Sequence, residues 1–225
     1  PRIFFRDASK HSALRKRWRT WLPAMRSDVS YLLGRREIFW ELEEIAKENP
    51  RILRHGAFFD WMCTNYIACV SVAVRSFTDR SRNVHSLWRL LFEVLEHPGV
   101  ISRRAHCALY RGVPRLDFVD IANVTFDGAV TKGAKVLPQR AIRKDLLELE
   151  DSTDRVRRFV NKRVAHRVAE RELRRLPKFN ELDAAMDTID RVFCKYNLLL
   201  TAEGMTSAFA TRQYNWMEAL YEPWI

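Results

Sequence analysis

Apolar residues recur every three or four positions through the first fifty residues, which is the spacing of amphipathic helices. The stretch Leu14–Leu33 alternates Trp, Leu and Met with basic residues in this way, and Pro23 predicts a break or kink inside it. Gly34 then separates this stretch from a second amphipathic helix over Arg35–Asn49, which ends before Pro50. We therefore expect the chain to begin with two helices, the first of them interrupted.

The most apolar segment, Phe58–Val74, is hydrophobic on almost every side of a helix. A membrane-spanning helix needs about 20 uninterrupted apolar residues, whereas Asp60, Thr64 and Asn65 interrupt this shorter run. We therefore predict the buried central helix of a bundle and no membrane association. A shorter helix is predicted to follow over Leu87–Glu96.

Residues 112–137 are the one stretch with strand or loop character, and they hold three of the seven glycines. We interpret them as an irregular excursion from the bundle. A long helix is predicted from Pro138, at its first turn, to about Leu173. Pro177 separates it from a final amphipathic helix over Phe179 to about Leu200.

These elements predict an all-α protein, a helical bundle with an irregular excursion near 112–137. The length of 225 residues is close to that of one large domain, so we expect a single domain over 1–225 with a core over about 20–200. The tail over 203–225 is rich in Tyr and Trp. We expect this tail to pack back onto the bundle or onto a second copy.

Composition narrows the functions that the chain can have. It carries 39 Lys and Arg against 28 Asp and Glu, a formal net charge of +11. A charge of this sign and size attracts polyanions, so nucleic acid is a candidate partner. The sequence contains no glycine-rich phosphate-binding motif, which excludes Rossmann and P-loop nucleotide binding. It also contains no G-x-S-x-G serine motif.

The use of cysteine predicts a reducing environment. The four cysteines form no C-x-x-C pair, which argues against a zinc ribbon or a thioredoxin-like site. Since no signal-peptide pattern opens the sequence, we expect a cytoplasmic protein. No His, Cys, Asp and Glu spacing suggests a metal site, so we expect neither a metal nor another cofactor.

The long helix contains the candidate chemistry. Between residues 155 and 169 it holds six cations and no acidic residue: Arg155, Arg157, Arg158, Lys162, Arg163 and Arg167. His166 lies three residues after Arg163 and four after Lys162, so helical spacing places it in this positive face. Nearby cations lower the pKa of a histidine and favour the neutral imidazole, which can act as a general base. The alternative is a solvated helix that carries an incidental histidine.

The segment NKRVAHR resembles the signature of the HEPN superfamily (higher eukaryote and prokaryote nucleotide-binding), and in particular its abortive-infection U-type branch. That signature commonly reads Arg-Asn-Lys-x-x-Ala-His. An apolar helix that ends in Val74–Asp79, followed by Ser86–Leu91, also looks like this branch. Four residues match the signature: Asn161, Lys162, Ala165 and His166.

The resemblance implies a bundle that dimerises so that two such helices face each other, and a metal-independent endoribonuclease of a toxin–antitoxin or phage-defence system. His166 would be the general acid and base, Arg163 would stabilise the charged phosphorane and Asn161 would orient the site. The expected partners are RNA, a second copy of the chain and an antitoxin protein. Four cations would hold RNA by charge: Arg157, Arg158, Lys162 and Arg167.

The sequence departs from the signature at Val160, which stands where the family has its Arg. No Arg lies five, six or seven residues before His166. The alternative is therefore a non-catalytic helical module that binds nucleic acid or a protein through the same basic helix. A third interpretation, a structural dimer without a ligand, predicts no salt-dependent affinity for nucleic acid.

A second group of cations, which we call the N-terminal basic cluster, interleaves with two tryptophans: Arg15, Lys16, Arg17, Trp18, Arg19 and Trp21. Such a stretch can track phosphates while its rings stack on unpaired bases. More often it is an amphipathic helix whose tryptophans are buried and whose cations are solvated. The burial of Trp18 and Trp21 distinguishes the two interpretations.

Overall fold

The computed structural model describes residues 2–49, 56–111, 118–164, 177–210 and 212–218. Within these ranges the chain forms seven α-helices, and its β pairing is limited to one antiparallel bridge between Ser102 and Val136. The prediction of an all-α protein is confirmed. The helices are α1 (Arg2–Glu48), α2 (Ala57–Phe77), α3 (Leu87–Glu96), α4 (Arg103–Cys107), α5 (Phe118–Ala129), α6 (Gln139–Phe159) and α7 (Phe179–Thr201).

The first helix, α1, is continuous over 47 residues, so the expected division into two helices is wrong. A proline inside a helix removes one backbone hydrogen bond and crowds the preceding turn, at a cost of about 3 kcal/mol. Burial of a large apolar side chain contributes about 1.5–3 kcal/mol, and the packing around Pro23 therefore outweighs that cost. Four nearly fully buried side chains flank it: Trp18, Leu22, Met25 and Val29.

The apolar helix α2 packs against α1, α6 and α7. Its opposite face leaves Phe58, Trp61 and Val72 exposed by 57%, 62% and 46%, so the prediction of a helix buried on every side is wrong. Among the described helices, α2 alone is long and apolar enough to cross a membrane by length and composition, a test that core helices of soluble proteins also pass. Its buried side chains follow helical spacing: Met62, Tyr66, Val70, Val74 and Phe77.

The segment near 112–137 is helical over much of its described length, where we expected irregular structure, because α5 occupies Phe118–Ala129. Ala122 and Phe126 lie one turn apart and are both fully buried. Gly128 falls in the last turn of this helix, and Gly133 adopts a φ of +76° in the turn that follows. The glycines therefore mark the end of the helix and do not prevent it.

A buried carboxylate ties α6 to α7. Asp145 accepts hydrogen bonds from Lys195 Nζ at 2.7 Å and from Tyr196 Oη at 2.9 Å. α6 also packs against α2 and α3, and α2 contacts the turn that follows α6. The C-terminal end of α6 is thus held among neighbouring helices, which fixes the position of the candidate site.

The described part of the C-terminal tail packs onto α1, which is one of the two placements that we expected. Arg212 Nη2 donates to the backbone carbonyl of Gly34 at 3.1 Å, and Trp216 Nε1 donates to Glu41 Oε2 at 2.6 Å. The Arg212 guanidinium also lies 5.3 Å from the centre of the Trp216 ring. These contacts tie residues 212–216 to the C-terminal third of α1.

Candidate functional site at the end of α6

The helix α6 ends at Phe159 and continues into a π-helical turn over Val160–Val164. A π turn inserts an extra residue into a helix, and such turns occur frequently at functional sites. Within such a turn the spacing of three and four residues does not apply, so a face predicted from that spacing does not carry through it. The HEPN-like segment begins inside this turn, at Asn161.

The structure describes part of the predicted site. Asn161 is exposed and Lys162 is half-buried, both on the π-helical turn. His166 and Arg167 lie outside the described residues, and so does the side chain of Arg163. The predicted roles of these three residues stay predictions.

The arginines at the end of α6 have acidic partners, although the stretch 155–169 itself contains no acidic residue. Arg157 Nη2 donates to Asp154 Oδ1 at 2.9 Å, and Arg158 pairs with the other oxygen of the same carboxylate at 2.7 Å. Arg155 pairs with Glu181 on α7 at 3.3 Å. Part of the positive charge of this helix is therefore balanced within the fold.

An arginine from another helix lies beside the HEPN-like segment. Val160, at the position where the family has its Arg, is only 4% exposed and packs inside the fold. Arg75 in the last turn of α2 instead donates from Nε to Asn161 Oδ1 at 2.8 Å. A guanidinium thus reaches the start of the segment from a residue 86 positions away in the sequence.

Arg75 and Asn161 border a cavity of about 390 Å³, which we call the basic pocket. It lies between the loop after α2 and the end of α6, and its volume falls in the range of about 300–1,000 Å³ that is usual for ligand sites. Grouped guanidiniums of this kind bind phosphate or carboxylate groups through charge-assisted hydrogen bonds. Seven residues line the pocket: Arg75, Thr78, Asp79, Arg80, Ser81, Arg157 and Asn161.

One carboxylate, that of Asp79, lines the basic pocket. Its Oδ1 accepts the backbone N–H of Ser81 at 2.8 Å, and its Oδ2 lies 3.5 Å from Arg75 Nη1. The hydrogen bond from Ser81 lowers the pKa of Asp79, and the charge of Arg75 lowers it further. Three arginines and this single carboxylate give the lining residues a formal net positive charge, and two of the arginines, Arg80 and Arg157, also pair with acids outside the lining.

The loop after α2 contributes a second arginine, Arg80, to the basic pocket. The Arg80 guanidinium lies 4.9 Å from the centre of the Trp88 ring, and its Nη2 donates to Glu150 Oε1 at 2.6 Å. Trp88 Nε1 donates to the same oxygen at 2.7 Å. This shared acceptor connects the loop to α3 and α6, so Arg80 is held in a defined position.

Sequence reasoning missed both Arg75 and Arg80. One signal for Arg75 was present, because it is the only charged residue between Asp60 and Asp79 in an otherwise apolar segment. Charged residues are rare in such segments unless they are paired or functional. The contact with Asn161 depends on how α2 packs against the end of α6, and hydrophobic periodicity does not predict that packing.

The N-terminal basic cluster is an amphipathic helix, and the interpretation as a base-stacking surface is wrong. Trp18 is fully buried and Trp21 is 7% exposed, so neither ring can stack on a nucleotide. Two of the cations, Arg15 and Arg19, are also less solvated than the amphipathic interpretation implies. Arg15 Nη1 donates to the backbone carbonyl of Val100 at 3.0 Å, and Arg19 Nε donates to that of Leu200 at 2.6 Å.

Comparison with known proteins adds no relative, since no family model, curated protein or solved structure matches the chain. The resemblance to the HEPN superfamily thus rests on the sequence alone, above all on residues 161–167, together with Val74–Asp79 and Ser86–Leu91. In the part of the chain that the structure describes, no three His, Cys, Asp or Glu side chains are grouped to hold a metal ion. Fold and site together define an all-α bundle with an arginine-lined pocket.

Proposed function

We propose that this protein is a HEPN-like, metal-independent endoribonuclease that acts as a homodimer in a toxin–antitoxin or phage-defence system. The observation that carries the proposal is the basic pocket, which brings Arg75 and Arg157 to Asn161, five residues before His166. Cleavage of RNA needs positive groups at the phosphate and a proton-transfer group close to them. The cations of the pocket and the following histidine are the residue types that this chemistry uses.

In the proposed reaction the RNA supplies its own nucleophile. His166 of one copy takes the proton of a 2′-hydroxyl, the 2′-oxygen forms a bond to phosphorus, and the bond from phosphorus to the 5′-oxygen breaks. His166 of the second copy gives a proton to the departing 5′-oxygen. The products are a 2′,3′-cyclic phosphate and a 5′-hydroxyl. Arg163 stabilises the phosphorane charge and Asn161 orients the site.

The burial of Val160 favours a second candidate function, a non-catalytic module that holds RNA without cutting it. Removal of one charged transition-state donor typically lowers a rate by about 10²–10³-fold, and this chain lacks the arginine at that position of the motif. In both functions the same cations hold the RNA: Arg157, Arg158, Lys162 and Arg167.

Cleavage of a mixed RNA pool in the presence of a metal chelator tests the proposal. The wild type should release 2′,3′-cyclic phosphate ends, and His166→Ala should cleave at least about 10²-fold more slowly. Arg163→Ala should also be slower, by about 10²-fold. His97→Ala, which changes a histidine in the turn after α3, is the matched control and should cleave like the wild type.

The outcome separates the two functions. Cleavage that is lost with His166 supports the endoribonuclease. A folded wild type that binds RNA without cleaving it supports the binding module, and cleavage that does not depend on His166 overturns the assigned acid–base residue.

A further inference from the structure

We propose that Arg75 supplies the phosphate-binding guanidinium that the HEPN-like segment lacks at Val160, and that the basic pocket holds a phosphodiester of single-stranded RNA. The proposal rests on the endoribonuclease or RNA-binding function proposed above. It assigns the phosphate contact to α2, on a different element from the motif itself.

Two contacts fix the orientation of the Arg75 guanidinium. Asn161 Oδ1 accepts its Nε–H at 2.8 Å, and Asp79 Oδ2 lies 3.5 Å from its Nη1. These contacts account for two of the five N–H donors of a guanidinium, and the side chain is 41% exposed. Asn161 is therefore a positioning residue, which holds the planar group at the edge of the basic pocket.

The charge around the cavity also favours an anion. Arg157 shares the carboxylate of Asp154 with Arg158, and Arg80 shares that of Glu150 with the Trp88 indole. Asp154 and Glu150 do not line the pocket, and Asp79 is the one acid among its lining residues. A phosphodiester carries one negative charge and accepts bidentate hydrogen bonds from arginine, so it complements the excess positive charge of the lining.

The pocket lies close in the sequence to the proposed acid–base residue. Asn161 belongs to both the pocket and the HEPN-like segment, and it precedes His166 by five residues. Five residues of chain span at most about 18 Å even when fully extended. A phosphate held by Arg75 and the group that His166 acts on can therefore belong to the same short RNA.

The test measures binding of a labelled short single-stranded RNA to the full-length His166→Ala chain by fluorescence anisotropy, since this background removes cleavage. Arg75→Ala should weaken binding about 10-fold, because it removes a charge-assisted contact to phosphate. Arg75→Lys should weaken it by only about 3-fold, since the ammonium keeps the charge and loses the planar fork. Arg140→Ala, an exposed arginine at the start of α6, is the matched control and should change the affinity by less than about 2-fold.

The salt dependence provides a second readout that a loss of folding would not reproduce. Arg75→Ala should reduce the slope of log affinity against log salt by about 0.7, the value for one phosphate contact to a single strand. Circular dichroism melts check that each variant is folded. Equal affinities and slopes for Arg75→Ala and Arg140→Ala would overturn the proposal.

The two proposals fail separately. If the wild type cleaves RNA while Arg75→Ala in the His166→Ala background binds like the control, the assignment of Arg75 is wrong and the endoribonuclease stands. If Arg75→Ala weakens binding but the wild type cleaves nothing, the basic pocket stands and the endoribonuclease is wrong.

Discussion

The N-terminal basic cluster and the basic pocket both contain several arginines, but only the arginines of the pocket come from different elements to line one cavity. In the cluster, Arg15 and Arg19 donate to backbone carbonyls of neighbouring elements, and Arg17 pairs with Glu93. In the basic pocket, the arginines come from α2, the loop after it and α6, and they line a cavity. The contacts of the cluster lie inside the fold. The arginines of the pocket also have acidic partners, namely Asp79, Glu150 and Asp154, but they line a cavity.

The difference lies in the acceptors that each set of cations meets. Glu93 is only 6% exposed and accepts hydrogen bonds from Arg17, from Arg89 Nε at 3.0 Å and from Trp18 Nε1 at 2.7 Å. One carboxylate thus serves three donors within the core. In the basic pocket, Asp79 is the one acid among the lining residues. The two regions therefore differ in where their acceptors lie more than in the number of their cations.

The largest expected effect tests whether Glu93 holds the N-terminal basic cluster. Glu93→Gln keeps the size of the side chain, but the amide nitrogen cannot accept the hydrogen bonds that a carboxylate oxygen accepts. We expect the free energy of unfolding, measured by urea denaturation, to fall by about 3 kcal/mol. Glu96→Gln, at the exposed end of the same helix, should change it by less than about 0.5 kcal/mol. Equal losses for the two variants would mean that the cluster does not depend on Glu93.

A smaller effect separates the two basic regions by function. Arg19→Ala should lower the free energy of unfolding by about 1 kcal/mol, because it leaves the Leu200 carbonyl without this donor, and should leave RNA affinity within about 2-fold of the wild type. Arg75→Ala should weaken RNA binding more than it destabilises the fold. Its ion pair with Asp79 is partly exposed and contributes less than about 1 kcal/mol to the free energy of unfolding. Thermal melts and RNA anisotropy on both variants check this pattern. If Arg19→Ala and Arg75→Ala lost RNA affinity to a similar extent, the N-terminal basic cluster would also be an RNA-binding surface and the two regions would not differ in function.

Hydrophobic periodicity was sufficient for the helical class and for several individual elements. The predicted helix over Leu87–Glu96 matches α3, and in α7 the buried side chains of Met186, Ile189 and Phe193 recur at the three- and four-residue spacing of the predicted amphipathic helix. These elements are amphipathic, so local spacing and tertiary packing agree. The prediction failed at Pro23, where burial on both sides outweighs a local helix-breaking signal.

The candidate site was less predictable than the fold because it depends on a long-range contact. The NKRVAHR segment was visible in the sequence, but its partner Arg75 is 86 residues from Asn161. The turn over Val160–Val164 is also π-helical, so three- and four-residue spacing does not describe the start of the segment. Neither the pairing of α2 with this turn nor the extra residue in it follows from the spacing of apolar residues.

The smallest expected effect concerns Asp79, the acid of the basic pocket. The hydrogen bond from Ser81 lowers its pKa in the folded protein. Its carboxylate therefore stabilises the fold above the pKa of an unfolded aspartate, about 3.9, and this contribution is lost as the pH falls through the lower folded-state pKa. The difference in unfolding free energy between the wild type and Asp79→Asn should be largest at neutral pH and shrink below about pH 4, as measured by urea denaturation.

The same variant also tests how the charge of the basic pocket affects RNA binding. At neutral pH, Asp79→Asn removes the negative charge that pairs with Arg75, so RNA affinity should rise by about 2-fold in the anisotropy assay. Asparagine can still accept the backbone N–H of Ser81, so the loop has no new reason to move. A fall in RNA affinity would instead mean that the ion pair of Asp79 with Arg75 is needed to present the guanidinium. The pocket would then resemble the N-terminal basic cluster, in which an internal acceptor controls the arginine.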